Sequence, residues 1–296
     1  MFNKGLIIVN AYCVYASVEH QARRLAIEFK NLGVTVDIKE NNFAPCYIDK
    51  GEVVNNVGDY DFVVYLDKDY YNAQLIDKLG IPVFNNVKAL MLCDDKMLCN
   101  IALANNGLEM PKTLSAPFCS RNITEFDFYR VVKKTLKYPI ICKESYTTLA
   151  SHSVLVYNDR ELKDVENKMV LKKHYYQEYL ESSRGHDYKA ILVNKKVVAA
   201  INRKTKDDIM ANNEYGNSVH MNFVLPENYQ EVAEKAAEIL DLDYCGIDIL
   251  IGNKGQPVIC DVDSNAFFNG VESSTGINVA SLYAKHICEK VYGKKF

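Results

Sequence analysis

Short apolar runs alternate with amphipathic segments over about the first 85 residues. Apolar residues recur at helical spacing from Val18 to Leu32, and a shorter helix is expected around Tyr71–Leu79. The pattern predicts four strands, at Leu6–Val9, Thr35–Ile38, Phe62–Leu66 and Ile81–Phe84. Strands that alternate with helices favour a small α/β domain with a parallel sheet.

The pattern changes after residue 88. A helix is predicted over Ala89–Asn105, and Pro111 then forces an extended segment. Later strands are joined by short turns, which is typical of an α+β region with antiparallel strands. These strands are Tyr138–Lys143, Ser153–Tyr157, His174–Tyr179, Tyr188–Val193, Val197–Arg203, Tyr244–Ile251 and Pro257–Asp263. Helices are expected near 126–136, 160–167, 229–240 and 279–291. We divide the chain into residues 1–88, 89–175 and 176–296.

Composition narrows the class of protein. The 296 residues include 35 Lys+Arg and 38 Asp+Glu, a balance that excludes a dominant phosphate-backbone binder, so no nucleic-acid partner is expected. No apolar run approaches the roughly 20 residues of a membrane span, so no membrane partner is expected. Nine cysteines, an odd number without a CxxC pair, and the absence of an export signal favour the reducing cytoplasm.

Several common catalytic motifs are absent from the sequence. It contains no GxxxxGK[ST], GxGxxG, HExxH or GxSxG segment. The residues from Gly252 to Gly255 resemble a phosphate loop only superficially, because no helix follows them, and they predict a hairpin turn. Common nucleotide folds and hydrolase triads therefore become less probable.

The strands on either side of that turn carry three aspartates among apolar residues. Asp261 and Asp263 are two residues apart and share a face, and the turn places Asp248 opposite Cys260 or Asp261. Like charges on facing strands destabilise a sheet, and a hard divalent ion such as Mg²⁺ removes the repulsion. The alternative is an edge hairpin whose acids are solvated or neutralised by Lys or Arg.

Two lysines and the end of one strand are candidates for a nucleotide site, on weaker grounds than the three aspartates. Lys143 closes an apolar strand and Lys96 lies on a predicted helix, so either is a phosphate ligand or an ordinary surface residue. The Gln177–Leu180 segment ends a strand, where backbone groups suit an adenine edge, and Asp187 follows within reach of a ribose. Taken alone, each of these patterns is also common in sites without function.

The order of these pieces resembles the ATP-grasp superfamily, in particular its RimK-like carboxylate–amine ligases. The segments that carry the resemblance are CDDKMLCNIALANNGLEMPKT (93–113), YPIICKES (138–145), YYQEYLESSRGHDYKAILVNKKVVAAINRK (175–204) and YCGIDILIGNKGQPVICDVDSNAFFNGVESSTGINVA (244–280). The resemblance implies an α/β first domain followed by an α+β ATP-grasp fold, whose two subdomains clasp ATP between antiparallel sheets.

The resemblance also implies a role for each matching residue. Lys96 and Lys143 would contact phosphates of ATP, and Arg203 would lie near the γ-phosphate. The implied nucleotide contacts are Glu178, Tyr179 and Leu180 on the adenine and Asp187 on the ribose. The implied Mg²⁺ ligands are Asp248, Asp261 and Asp263, with Mn²⁺ as an alternative metal. Asn212 or Asn213 would take a metal-side or phosphate-side role.

The implied reaction joins a carboxylate to an amine at the expense of ATP. The carboxylate attacks the γ-phosphorus to give an acyl-phosphate and ADP, and the amine then displaces phosphate. The substrates would be small molecules or peptides, and homo-oligomers are common in the family. Asn10, Tyr12 and Tyr15 follow the first strand and are candidates for the substrate side, since α/β sheets bind ligands at the carboxyl ends of strands.

Three departures from the family pattern favour an alternative function. The loop of residues 146–154 lacks the usual glycines, which let backbone N–H groups approach phosphate closely. An arginine two residues before the Asn at 212 or 213 is replaced by Met210 or Ala211, and the usual Glu-x-Asn is Asp261-Val262-Asp263. The alternative is a degenerate ATP-grasp protein that binds a nucleotide or a partner without turnover.

Overall fold

A computed structural model describes residues 3–12, 16–43, 45–120, 127–146, 153–205 and 218–293. In this part of the chain, no helix has the length and apolar character needed to cross a bilayer. Its eight cysteines are free thiols and six of them are buried, as expected for small apolar residues.

The first domain is built on a parallel sheet, as the sequence predicts. Its strands are β1 (Lys4–Val9), β2 (Thr35–Glu40), β5 (Phe62–Leu66) and β6 (Val83–Phe84), in the order β2-β1-β5-β6. Helices α1 (Ala16–Asn31) and α2 (Tyr70–Lys78) connect them. A small hairpin of β3 (Tyr47–Asp49) and β4 (Glu52–Val54) was not predicted, since each strand has only three residues and is not buried.

The single helix predicted over Ala89–Asn105 is wrong, because the structure has two helices there. Helix α3 (Val87–Asp94) ends at Asp95, and α4 (Lys96–Leu103) begins directly after it. The Asp95 carboxylate accepts hydrogen bonds from the N–H groups of Met97 and Leu98, which makes it the N-cap of α4. A carboxylate that caps a new helix breaks the old one, and the break fixes Lys96 at the start of α4.

The central domain has an antiparallel sheet with two helices packed on one face. The strands are β7 (Thr113–Ser115), β8 (Ile140–Glu144), β9 (Ser153–Val156) and β10 (His174–Glu178), in the order β7-β10-β8-β9. Helices α5 (Tyr129–Thr135) and α6 (Asp159–Met169) cover the face that contains Cys142 and Tyr176. Strand β10 pairs along its length with β8, so the predicted boundary between residues 175 and 176 falls inside a strand of this sheet.

The last domain is a five-stranded antiparallel sheet. Its strands are β11 (His186–Val193), β12 (Lys196–Thr205), β13 (Ser218–Asn222), β14 (Tyr244–Ile251) and β15 (Pro257–Asp263), in the order β13-β12-β11-β14-β15. Its helices are α7 (Glu227–Ile239), α8 (Asn269–Thr275) and α9 (Val279–Tyr292). Ile251 pairs with Pro257 and Asp248 with Asp261, which confirms the predicted register, and a bulge follows Asp248. Strand β13 and helix α8 were not predicted.

A buried asparagine joins the first domain to the last. Asn85 is 0% exposed, and its amide nitrogen donates to the carbonyl oxygens of Tyr244 (2.8 Å) and Ser264 (2.6 Å). Its amide oxygen accepts from the N–H groups of Asp243 and Tyr244, so one side chain satisfies four backbone groups. Asn85 thereby fixes both ends of the β14–β15 hairpin against the first sheet.

We expect Asn85→Ala to lower the free energy of unfolding by about 2–4 kcal/mol, because it leaves buried backbone groups without partners. Urea unfolding measures this. Asn31→Ala is the matched control, since Asn31 is exposed at the end of α1. Equal stability of the two variants would contradict the role given to Asn85.

A buried carboxyl group makes the central domain sensitive to pH. Glu166 is 1% exposed and accepts a hydrogen bond from the Tyr176 hydroxyl at 3.2 Å. Burial raises its pKa to about 7, so the folded protein binds this proton more tightly than the unfolded chain does. The resulting stabilisation is complete below the ordinary pKa and is lost as the pH rises through about 7.

Glu166→Gln keeps an acceptor for Tyr176 but has no proton to lose. We therefore expect its melting temperature to fall less than that of the wild type between pH 5 and pH 8. At pH 8 the variant should be the more stable of the two. Thermal unfolding across this range measures the difference, and parallel curves for the two proteins would show that Glu166 does not titrate there.

Candidate active site

The candidate site lies where the central sheet faces the last sheet. Cys142 points into the helix-covered core, so its neighbour Lys143 points to the opposite face of the sheet. The Lys143 ammonium lies 2.9 Å from Gln177 Oε1 and 4.0 Å from Cys260 Sγ, and its side chain is almost fully buried. A β8 residue and a β15 residue therefore meet across the crevice.

Lys96 reaches the same crevice from the first turn of α4. Its Nζ lies 2.8 Å from Asp261 Oδ1 and donates to the carbonyl oxygen of Val262 at 2.9 Å. The Asp95 cap sets the start of α4, and it thereby sets the point from which this lysine extends. Lys96 and Asp261, predicted as a phosphate ligand and a metal ligand, are brought together as an ion pair.

Arg203 holds two further aspartates in the interior. Its Nε and one terminal nitrogen donate to the two oxygens of Asp187 at 2.7 and 2.6 Å. The same terminal nitrogen lies 2.9 Å from Asp248 Oδ1. These residues lie on β12, β11 and β14, three neighbouring strands, and the register places Asp187 directly opposite Arg203. One guanidinium therefore ties three strands together at one end of the sheet.

Lys189 belongs to this cluster and was not predicted. It is 7% exposed, and its Nζ lies 4.0 Å from Asp248 Oδ1. Gly246 leaves room for it, since a Cβ there would lie 3.1 Å from Lys189 Cε and 2.5 Å from Ala266 Cβ. The available signal was a lysine two residues after Asp187 in an otherwise apolar strand, and hence on the same face.

Among the described residues, the crevice holds equal numbers of cations and carboxylates, and we call this set of side chains the charge cluster. Its members are Lys96, Lys143, Lys189 and Arg203 with Asp187, Asp248, Asp261 and Asp263. Burial disfavours the charged form of Lys96, but Asp261 and Asp263 outweigh it and raise the pKa of Lys96. Burial likewise opposes the charged form of Asp248, but Arg203 and Lys189 outweigh it and lower its pKa. Both groups are therefore ionised at neutral pH.

The structure does not gather the aspartates around one point. In the described residues, no three His, Cys, Asp or Glu side chains are arranged closely enough to hold a metal ion. Asp248 and Asp261 face each other across β14 and β15, but Arg203 and Lys96 respectively neutralise them. The oxygen donors themselves suit Mg²⁺, and their predicted metal role stays a prediction.

The residues that were predicted to contact adenine and ribose lie in two different environments. The Glu178 carboxylate accepts a hydrogen bond from the N–H of Lys112 at 2.7 Å, at the end of β10. Tyr179 and Leu180 then lead into a one-turn 3₁₀ helix, Glu181–Ser183. Asp187 is 2% exposed with both oxygens bonded to Arg203, so the structure places it in the charge cluster. All these nucleotide roles stay predictions.

Several predicted features lie outside the described residues. These are Asn212, Asn213, Met210, Ala211 and Tyr15, together with residues 147–152 of the glycine-free loop. Of the remaining substrate-side candidates, Asn10 donates from Nδ2 to Asp67 Oδ1 at 2.9 Å, whereas Tyr12 is 85% exposed.

Comparison with known proteins identifies the class of protein. The fold matches D-alanine–D-alanine ligase from Bacillus anthracis, complexed with ATP, with a TM-score of 0.73 over 98% of this chain and 97% of that one, at 15% identity. It also matches a RimK domain ATP-grasp protein from Sphaerobacter thermophilus, with a TM-score of 0.70 over 96% of this chain and 99% of that one, at 17% identity. These matches confirm the predicted ATP-grasp fold.

The sequence places the chain more narrowly. The RimK-like ATP-grasp domain matches residues 93–287, and the chain belongs to this family. A probable alpha-L-glutamate ligase from Marinomonas sp. is 28% identical over 90% of this chain and 91% of its own length. Beta-citrylglutamate synthase B from Danio rerio is 26% identical over 76% of this chain, but the match spans only 55% of that relative's length.

Removal of the Arg203 guanidinium would leave the buried carboxylates of Asp187 and Asp248 without their main counter-ion. We expect Arg203→Leu to lower the free energy of unfolding by about 3–5 kcal/mol. Urea unfolding measures the loss. Arg23→Leu is the control and should leave stability unchanged, because the Arg23–Glu19 pair is exposed. An Arg203→Leu protein as stable as the control would show that the cluster does not depend on Arg203.

Proposed function

We propose that this protein is an ATP-dependent carboxylate–amine ligase that forms an amide bond through an acyl-phosphate. The charge cluster carries this proposal, because one crevice gathers four cations that suit a polyanion: Lys143, Lys189 and Arg203 are buried, and the Lys96 side chain is 12% exposed. Phosphoryl transfer needs positioned positive charge more than a covalent nucleophile. The family membership supports the same reaction, and the relatives named above are ligases or synthases.

The charge balance of the cluster implies how the nucleotide binds. Each lysine and the arginine of the cluster already have a carboxylate or an amide as a partner. If phosphates replaced these carboxylates as partners of the cations, the carboxylates would lose their counter-ions and repel one another. A divalent cation that enters with ATP restores the balance. Asp248, Asp261 and Asp263 would hold Mg²⁺, or Mn²⁺ in its place, which would neutralise charge on the phosphates. Nucleotide binding should therefore depend steeply on the metal.

The proposed reaction has two steps, as the family membership suggests. An oxygen of the substrate carboxylate forms a bond to the γ-phosphorus as the bond to the bridging oxygen of ADP breaks. The amine nitrogen then attacks the acyl carbon, the bond to phosphate breaks, and the amine releases a proton. Lys96, Lys143 and Arg203 would stabilise the charge on the transferring group. Burial between the two sheets would protect the acyl-phosphate from water.

The substrates belong to the class that the relatives indicate. The relatives carry glutamate in their names, which supports a small-molecule or peptide carboxylate and an amine. The free cysteines are consistent with action in the cytoplasm. A homo-oligomer is suggested only by the family resemblance, since homo-oligomers are common in the family.

The first test measures ATP binding by calorimetry with and without Mg²⁺. We expect binding that requires Mg²⁺ and weakens at least tenfold in Asp261→Asn, because the variant loses one negative ligand. Asp49→Asn is the control, since Asp49 is exposed on β3, outside the crevice. Binding that is independent of Mg²⁺ and unchanged in Asp261→Asn would overturn the assignment.

A second measurement separates the ligase from the degenerate alternative. Release of ADP is followed while carboxylate and amine pairs are added to the MgATP complex. A ligase releases ADP only when the carboxylate is present and forms the amide only when both are present. MgATP binding without ADP release for any pair would favour a protein that binds the nucleotide without turnover.

A further inference from the structure

One cation of the charge cluster, Lys143, is held by a neutral side chain. Its Nζ donates to Gln177 Oε1 at 2.9 Å. The other hydrogen-bond contact of this ammonium within the described residues is Cys260 Sγ at 4.0 Å, and a thiol sulfur is a weak acceptor. An ammonium has three donors, so two of the three lack a strong acceptor in this part of the chain.

The other cations of the cluster face carboxylates instead. Lys96 pairs with Asp261, and Arg203 pairs with Asp187 and Asp248. A phosphate can bind these cations only in competition with their carboxylates. Lys143 forms no such ion pair with a described carboxylate, and its charge is therefore open to a phosphate from the start.

Lys143 keeps its charge although it is buried. Burial opposes the charged form, but Cys260, Tyr175 and Asp261 outweigh burial and raise the pKa of Lys143. Lys143 is therefore an ammonium at neutral pH, and it can only donate hydrogen bonds.

The partners of the Gln177 amide determine its orientation. The Lys143 ammonium only donates, so the amide oxygen faces it, and Nε2 on the other side donates to Thr113 Oγ1 at 3.0 Å. The Thr113 hydroxyl donates its one hydrogen to the carbonyl oxygen of Pro111 at 2.8 Å, so towards Gln177 it can only accept. These four groups form a chain of hydrogen bonds that runs in one direction from Lys143 to Pro111.

The central sheet fixes both ends of this chain. Gln177 on β10 is 1% exposed, and the register places it directly opposite Thr113 on β7. At the far end, Lys112 and Glu178 exchange two hydrogen bonds. The N–H of Lys112 donates to the Glu178 carboxylate at 2.7 Å, and the N–H of Glu178 donates to the Lys112 carbonyl oxygen at 2.9 Å. The segment that carries Pro111 and Thr113 is therefore held against β10.

We infer that Gln177 and Thr113 are positioning residues for nucleotide binding: they hold Lys143 through a neutral acceptor and leave its charge for the phosphates of ATP. The inference rests on the proposed ligase function. A phosphate oxygen would accept from the two Lys143 donors that lack a strong acceptor, and no ion pair would have to break first. A carboxylate at position 177 would instead occupy the ammonium with a stronger, charge-assisted hydrogen bond.

The test compares Gln177→Glu with Gln177→Met by calorimetry with MgATP. The glutamate keeps an acceptor for Lys143 and adds a charge, whereas the methionine removes the acceptor and adds none. We expect Gln177→Glu to weaken MgATP binding about tenfold, because its carboxylate competes with phosphate, and Gln177→Met to weaken it about threefold. Gln74→Glu on α2, whose amide donates to Met91 Sδ at the surface, is the matched control and should bind like the wild type.

Thermal unfolding of the free variants separates positioning from a merely structural role. The new ion pair with Lys143 should make Gln177→Glu melt at a higher temperature than Gln177→Met, although it binds MgATP more weakly. A residue that only maintained the fold would give the same order in both measurements.

Thr113 provides an independent pair of variants in case the Gln177 variants do not fold. Thr113→Val removes the acceptor of the Gln177 amide and should weaken MgATP binding about threefold, whereas Thr113→Ser keeps the hydroxyl and should restore binding to within about twofold of the wild type. Equal affinities of these two variants would overturn the inference, as would a folded Gln177→Glu that binds MgATP as tightly as the wild type or more tightly than Gln177→Met.

The ligase proposal fails in a different way. A wild-type protein that does not bind MgATP would overturn both the ligase and this inference. A wild-type protein that binds MgATP, with the same affinity in Gln177→Glu, would keep the ligase proposal and lose the inference.

Discussion

The ion pair between Arg203 and Asp187 is the constraint on which the crevice depends. Both side chains are buried, so neither charge can persist there without the other. The same guanidinium neutralises Asp248 on a third strand, which leaves Lys189 close enough to share that carboxylate. The remaining members of the charge cluster continue the alternation of positive and negative side chains toward the central domain; they are Lys96, Lys143, Asp261 and Asp263. The last sheet carries Asp187, Lys189, Arg203, Asp248, Asp261 and Asp263, and the register of its strands places side chains of opposite sign next to one another.

In the structure the cations of the crevice neutralise its carboxylates. Under the proposed function, a polyphosphate would bind by taking these cations as its partners, and a metal ion would then neutralise the carboxylates that they leave. Coupling between nucleotide binding and metal binding would follow from the requirement that buried charge stays balanced.

The sequence predicted the parts of this site whose geometry is local. A five-residue turn fixes the register of a hairpin, so counting residues placed Asp248 opposite Cys260 or Asp261. The bulge next to Asp248 decides between them and pairs it with Asp261. The ordered motifs then predicted the family and the fold class. The helical spacing of apolar residues could not locate the break at Asp95. An aspartate that caps a new helix and an aspartate on the exposed face of a continuous helix both appear as one polar position in the sequence. Lys189 and Asn85 were missed because their partners are distant in sequence, and only tertiary contacts give them a role.

The hydrogen bonds of Asn85 also position a strand end that carries part of the charge cluster. Its amide nitrogen bonds to the carbonyl of Ser264, immediately after Asp263, and so presses the end of β15 against the first domain. Asp263 at the end of β15 belongs to the charge cluster, and Lys96 is the first of the charged groups that lower its pKa against the effect of burial. The link between the domains thus fixes the strand end from which Asp261 and Asp263 extend.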